Sequence, residues 1–130
     1  MTLLDTDTCI ELLRGNERVL EHRARVRDVI ATSWITAAEL YYGAAKSKAA
    51  AHNHALVTRF LATLDVLEMD SAAAQHFGEQ KARLETGGRR LAEADLLIAS
   101  VARSRGYVLV TGNRRHYERI DGLAIEDWIR

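Results

Sequence analysis

Residues 3–10 read LLDTDTCI, and this stretch decides the fold because an apolar strand meets an acidic residue and then a helix. The acidic residue is Asp5. Similar junctions follow: Glu39 comes after the next strand-like stretch, and Asp95 opens the most apolar helix. In a parallel α/β sheet the carboxyl ends of the strands share one edge, where ligands bind. We therefore expect Asp5, Glu39 and Asp95 to meet at that edge.

Hydrophobic patterning divides the rest of the chain into alternating strands and helices. The predicted strands are residues 3–4, 29–35, 66–69, 107–111 and 123–125. The predicted helices are residues 9–13, 19–26, 36–45, 49–64, 71–84 and 92–105. This alternation predicts an α/β fold with a parallel sheet and right-handed crossovers. No linker or repeat interrupts the pattern, so we expect a single domain over residues 1–130.

Composition limits the class of protein. The formal net charge is zero, so any contact with nucleic acid depends on local basic patches. Hydrophobic residues make up 48% of the chain, too many for a disordered protein. Cys9 is the only cysteine, which excludes an intrachain disulfide and suits a core position. No signal peptide or membrane-length stretch is recognisable, so we expect a cytoplasmic protein without a membrane partner.

Each of the three acidic residues also has an ordinary structural interpretation. Asp5 would cap the helix that follows it. Glu39 would close a capping box with Thr36, and Asp95 would lie in the first turn of its helix, near the positive end of the helix dipole. Their coincidence on one sheet edge favours a binding site, because gathered carboxylates repel each other unless a cation lies between them. Oxygen ligands suit Mg²⁺ or Mn²⁺. We expect the Asp95 carboxylate near the buried side of its helix.

Two basic loops are expected near the same edge. Residues 87–90 read GGRR, and residues 112–116 read GNRRH. Arginine contacts phosphate well, which would suit a nucleic-acid backbone. Ordinary solvated surface charge explains the same residues equally well, and the sequence does not decide between the two interpretations.

Four segments resemble a known family. The opening at residues 3–10 resembles PIN-domain ribonucleases of the VapC toxin type, which usually read LDTN before an apolar helix. Residues 35–44, ITAAELYYGA, are similar to the family's ITxAELxxGA segment. Residues 94–99, ADLLIA, resemble its DxxIA helix, and the stretches at residues 108–113 and 117–123 resemble its closing segment. The matches occur in order and span almost the whole chain.

The resemblance implies a PIN-like three-layer fold, with a central parallel sheet of four to five short strands flanked by helices. It also implies an Mg²⁺- or Mn²⁺-dependent endoribonuclease, the toxin of a type II toxin–antitoxin pair, cutting tRNA or another structured RNA. A bound divalent ion would activate a water for attack on the phosphate. The implied partners are the RNA, a VapB-type antitoxin and a second copy in a homodimer.

Carried over by position, the family's catalytic acids are Asp5, Glu39 and Asp95, and Asn113 joins them as a metal ligand. Two positions depart from the family pattern. Asp7 stands where the family commonly has Asn, which adds a carboxylate that could reach the same pocket. Asn113 stands where many PIN domains have a fourth acid, so it offers an amide oxygen without charge and puts a second tightly held ion in doubt.

Three other functions fit part of the sequence. The LLDTD opening also resembles haloacid-dehalogenase-type phosphohydrolases, but those need a late lysine, and the last lysine here is Lys81. A phospho-receiver domain has the same requirement. A degenerate PIN module that only binds RNA or protein is the third alternative, and metal-dependent RNA cleavage would separate it from the enzyme.

Overall fold

The structure is a computed structural model that describes residues 1–130. Its elements follow in the order β1 (Thr2–Leu4), α1 (Thr6–Leu13), α2 (Glu17–Arg25), β2 (Ile30–Ser33), α3 (Trp34–Ala45), α4 (Ala50–Leu61), β3 (Asp65–Leu67), α5 (Ser71–Thr86), α6 (Glu93–Arg105), β4 (Val108–Val110), α7 (Arg114–Tyr117) and β5 (Ile125–Glu126). No helix combines the length and the apolar character needed to cross a bilayer.

The five strands form one parallel sheet in the order β3-β2-β1-β4-β5, which confirms the predicted α/β class. The chain builds outward from β1 through β2 to β3 and then crosses to β4 on the other side of β1. The strand order therefore reverses between β1 and β4. A crevice forms outside the carboxyl ends of the strands at such a reversal, and it is the usual place for a ligand in open α/β sheets.

Helices cover both faces of the sheet, which gives the predicted three layers. Leu3 and Leu4 are neighbours in β1 and point to opposite faces, and both are fully buried. Leu3 belongs to a core with residues of α5, α6 and β4. Leu4 belongs to a second core with residues of α1 to α4 and Trp128. Cys9 lies in this second core, as expected.

One predicted boundary was wrong in a way that matters for the site. The strand expected at residues 29–35 ends at Ser33, and Trp34 and Ile35 belong to α3. The Ser33 hydroxyl accepts a hydrogen bond from the Thr36 backbone N–H at 3.2 Å, so Ser33 is the N-cap. A serine cap sets the start of the helix two residues before the predicted start at Thr36.

The other boundaries differ by a few residues. The third strand is Asp65–Leu67 and the last is Ile125–Glu126, each displaced from its predicted range by one or two residues. The helix expected to reach residue 64 ends at Leu61. The short helix α7 was not predicted. Element ends fray and lack strong patterning, so they are the least certain part of any sequence prediction.

Candidate active site

A pocket of about 90 Å³ opens at the carboxyl edge of the sheet, where β1 meets β4. All four predicted ligand positions line it, each brought there by a different part of the chain. Asp5 follows β1, Glu39 lies on α3, Asp95 is in the first turn of α6, and Asn113 follows β4. The complete lining is Asp5, Thr6, Asp7, Glu39, Asp95, Asn113 and Tyr117. The pocket thus gathers the predicted residues, including the additional Asp7.

Asp5 combines a structural role with a place in the pocket. It is only 4% exposed, and its Oδ1 accepts a hydrogen bond from the Thr8 backbone N–H at 2.9 Å, which caps α1. Burial raises the pKa of Asp5 to about 6, although hydrogen bonds from the Thr111 side chain and from Thr8 act in the opposite direction. The ionised form of Asp5 is therefore poorly solvated, and a cation in the pocket would stabilise it.

Glu39 is held by a side chain from another element. Its Oε1 accepts a hydrogen bond from the Thr6 hydroxyl at 2.5 Å, and that hydroxyl lies 3.1 Å from the Thr36 hydroxyl. The capping box expected between Thr36 and Glu39 is absent, because Ser33 caps α3 instead. Glu39 is thereby free to face the pocket.

Asp95 is less buried than the sequence suggested. Its side chain is 32% exposed, and its Oδ2 lies 4.0 Å from Nδ1 of His116. His116 also contacts the side-chain amide of Asn113. The fold therefore buries Asp5 and leaves Asp95 at the rim, next to an imidazole that the sequence analysis had not assigned to the site.

Tyr117 is a pocket residue that the sequence did not reveal. Its side chain is buried and lines the pocket together with the acids. Burial, followed by the nearby Asp95, Asp5 and Asp7 carboxylates, raises the pKa of Tyr117, so the phenol stays protonated. Its hydroxyl is available as a donor to Asp95. One feature of the sequence could have indicated this position. Tyr117 follows Asn113 by four residues, and residues four apart on a helical turn such as α7 lie on the same face.

The donor chemistry of the pocket fits a hard divalent cation. No Lys or Arg forms an ion pair with Asp5, Asp7, Glu39 or Asp95. The negative charge of these carboxylates is therefore not neutralised by a Lys or Arg side chain. The charged donors are carboxylate oxygens, which suit Mg²⁺ or Mn²⁺ better than Zn²⁺. As placed, no three His, Cys, Asp or Glu side chains converge closely enough to hold an ion. Glu39 and Asp95 would have to turn away from Thr6 and His116.

Glu93, which the sequence did not assign, lies outside the pocket. It forms an exposed ion pair with Lys81 across α5 and α6. It therefore belongs to the surface of the helical layer and not to the acidic group.

The chain is similar to known proteins over almost its whole length. The PIN domain family matches residues 2–123. The chain is 39% identical over 127 residues to the tRNA(fMet)-specific endonuclease VapC of Shigella flexneri, covering 97% of this chain and 96% of the relative. It is 42% identical over 127 residues to the protein of the same name in Salmonella typhimurium, with the same coverage.

Solved structures show the same fold. DNA-bound VapBC from Salmonella typhimurium superposes with a TM-score of 0.93 at 42% identity, covering 98% of this chain and 97% of that one. VapBC2 from Rickettsia felis, bound to a DNA fragment from its promoter, superposes with a TM-score of 0.92 at 31% identity and covers 98% of both chains.

Proposed function

Because the chain belongs to the PIN domain family, and within it to the VapC ribonucleases, we propose that it cuts RNA by metal-dependent hydrolysis at the pocket of Asp5, Glu39 and Asp95. One observation carries the proposal. Three carboxylates from separate elements line one pocket where the strand order reverses, and no Lys or Arg is paired with them. With the family assigned, the phosphohydrolase and receiver alternatives no longer apply.

We propose a role for each side chain of the pocket from its position. Asp5 would hold the ion from the buried side of the pocket, and Glu39 and Asp95 would hold it from the open side. Asn113 would contribute its amide oxygen, and Asp7 would add negative charge at the rim. When bound, Mg²⁺ or Mn²⁺ lowers the pKa of a water and stabilises charge on the scissile phosphate. Tyr117 would keep Asp95 oriented.

We propose tRNA or another structured RNA as the substrate of this ribonuclease toxin. Two relatives at about 40% identity carry the name tRNA(fMet)-specific endonuclease. The test is to incubate the purified chain with initiator tRNA, elongator tRNA and an unstructured RNA, with Mg²⁺, Mn²⁺ or EDTA. We expect cleavage of structured RNA that needs the metal and leaves 5′-phosphate ends. Cleavage that persists in EDTA, or RNA binding without cleavage under any metal, would overturn the proposal.

The protein partner is an antitoxin of the VapB type, as in the VapBC complexes that share this fold. We propose that it covers an apolar groove of about 340 Å³ between α1, α3 and α4. The apolar lining comprises Ile10, Leu13, Leu40, Ala44, Leu56 and Val57. Such a groove accepts the apolar face of an amphipathic helix.

A homodimer is proposed as well. An exposed aromatic side chain is typical of protein interfaces, and Tyr42 on α3 is 65% exposed. Two of its neighbours on α3 do not extend this exposed surface. Ala44 is buried, and the Tyr41 hydroxyl is bonded to Thr58 within the chain.

A further inference from the structure

Two depressions adjoin the acidic pocket in turn and form a path away from it, each sharing a residue with the one before it. Asn113 lines both the acidic pocket and a second depression that contains Arg114, Arg115 and Arg130. Arg115 in turn lines a third depression of about 470 Å³. We call the arginines along this path the arginine track; they are Arg89, Arg114, Arg115, Arg119 and Arg130.

The charge of the arginine track is not neutralised within the protein. None of its five side chains forms an ion pair with a carboxylate. Arg89 and Arg115 are exposed, and their side chains make no hydrogen bond. Two others are anchored on backbone carbonyls: Arg119 donates to Arg90 at 3.0 Å, and Arg114 donates to Ile125 at 3.5 Å.

The two arginine-lined depressions contain two carboxylate side chains, Asp127 and Glu118. Asp127 is occupied, because its Oδ1 accepts the backbone N–H groups of Ile129 and Arg130 at 2.8 and 3.1 Å. Glu118 lies among the arginines of the third depression without a bonded partner. The molecule as a whole is neutral, so this surface is a local concentration of positive charge.

We propose that the arginine track holds the sugar–phosphate backbone of the RNA on one side of the scissile phosphate. The inference deepens the proposed function and rests on it. Guanidinium groups bind phosphate oxygens with paired hydrogen bonds, and such contacts fix the register of a strand without reading its bases. The path reaches the acidic pocket at Asn113, so a strand held along the track would lead into the pocket.

The test measures RNA affinity in EDTA, where cleavage does not interfere. The variant Arg89→Gln/Arg115→Gln removes two exposed charges from the track. The control Arg25→Gln/Arg27→Gln removes two exposed charges just before β2, at the opposite edge of the sheet. The probe is a fluorescein-labelled 20-nucleotide RNA followed by anisotropy at several salt concentrations. We expect roughly tenfold weaker binding for the track variant only, and a salt slope smaller by ~1.4 in magnitude.

A second variant removes a negative charge from the track and should strengthen RNA binding. Damage to the fold would weaken binding, so this variant distinguishes an electrostatic effect from misfolding. Glu118→Gln removes the carboxylate among the arginines, so it should tighten RNA binding. The inference is overturned if the track variant binds RNA as tightly as the control, if Glu118→Gln leaves affinity unchanged, or if the wild type does not bind RNA. A track variant that loses only antitoxin affinity would assign the surface to the protein partner instead. Failure of the wild type to cleave RNA that it binds would count against the proposed function alone.

Discussion

Asp5 shows how one residue serves the fold and the site at once. It caps α1 and is buried in the acidic pocket, and its pKa is raised from 3.8 to about 6, chiefly by desolvation. A raised pKa in the folded state means that the folded protein holds the proton more tightly than the unfolded chain does. The contribution of Asp5 to the free energy of unfolding is therefore fully present below pH 4 and is lost as the pH rises through about 6.

The first prediction is therefore that Asp5→Asn is more stable than the wild type at neutral pH without divalent metal. The amide oxygen can still cap α1, and the cost of burying a charge disappears. The gain is at most about 3 kcal/mol at pH 7.5 and vanishes at pH 4. Urea unfolding in EDTA between pH 4 and pH 8 measures it. Two stability curves that run parallel over this range would contradict the prediction.

The second prediction concerns the Tyr117 hydroxyl. Tyr117→Phe keeps the buried ring but removes the donor next to Asp95, so Asp95 loses an orienting contact. We expect an unchanged fold and roughly fivefold weaker Mn²⁺ affinity, since one such hydrogen bond contributes about 1 kcal/mol. Isothermal titration calorimetry measures the affinity, and Tyr107→Phe outside the pocket is the matched control. Equal Mn²⁺ affinities for the two variants would exclude this role for Tyr117.

The sequence predicted the acids of the pocket but not Tyr117, which lines it, or His116, which lies beside Asp95. Asp5 stands between β1 and α1, and Glu39 lies on α3, which follows β2, but Asp95 opens a helix that follows α5 and not a strand. The sequence nevertheless selected all three, because each follows or opens an apolar stretch. Tyr117 and His116 neither follow nor open an apolar stretch. They lie on the four-residue helix α7, which has too few residues for a periodic signal.

At the scale of elements, the junction between β2 and α3 decides where Glu39 points. Trp34 and Ile35 continue the apolar character of the strand, so hydrophobicity alone extends β2 to residue 35. The Ser33 side chain ends the strand earlier by capping α3. At this boundary a local hydrogen bond decides where the strand ends, and the hydrophobic pattern does not. The longer helices were predicted well because their hydrophobic pattern repeats over several turns.

The third prediction tests this cap. Ser33→Ala removes the acceptor for the Thr36 N–H and should destabilise the protein by about 1 kcal/mol. Ser71→Ala is the matched control, because Ser71 follows the true cap of α5, Asp70, and should cost less than about 0.5 kcal/mol. Urea denaturation measures both. A Ser33→Ala variant no less stable than the control would show that the cap does not fix the start of α3.

At the scale of the whole molecule, the order of the strands in the sheet could not be predicted from the sequence. Local patterns identify strands, but the β1–β4 pairing joins Leu4 to Val110 across more than a hundred residues. Nothing in the local pattern around either strand encodes that partner. The reversal of strand order that places the pocket is therefore visible only in the folded chain.

The fourth prediction concerns the antitoxin groove. Leu56→Glu puts a charge into the apolar groove at a position that is 36% exposed, so the fold tolerates it while the apolar contact is lost. We expect at least a tenfold loss of antitoxin affinity with RNA cleavage unchanged, because desolvating the new carboxylate opposes binding. Leu20→Glu, on an exposed position outside the groove, is the control. Antitoxin affinity that is equally reduced in both variants would place the interface elsewhere.

The most direct test of the central claim compares metal-dependent RNA cleavage in four variants. Asp5→Asn, Glu39→Gln and Asp95→Asn each remove one carboxylate from the pocket. Asp65→Asn removes an exposed carboxylate at the start of β3, on the opposite edge of the sheet. We predict that the three pocket variants remain folded and lose on the order of 100-fold or more in cleavage rate at saturating Mn²⁺, while Asp65→Asn cleaves like the wild type. Cleavage by Asp95→Asn at the wild-type rate would contradict the account.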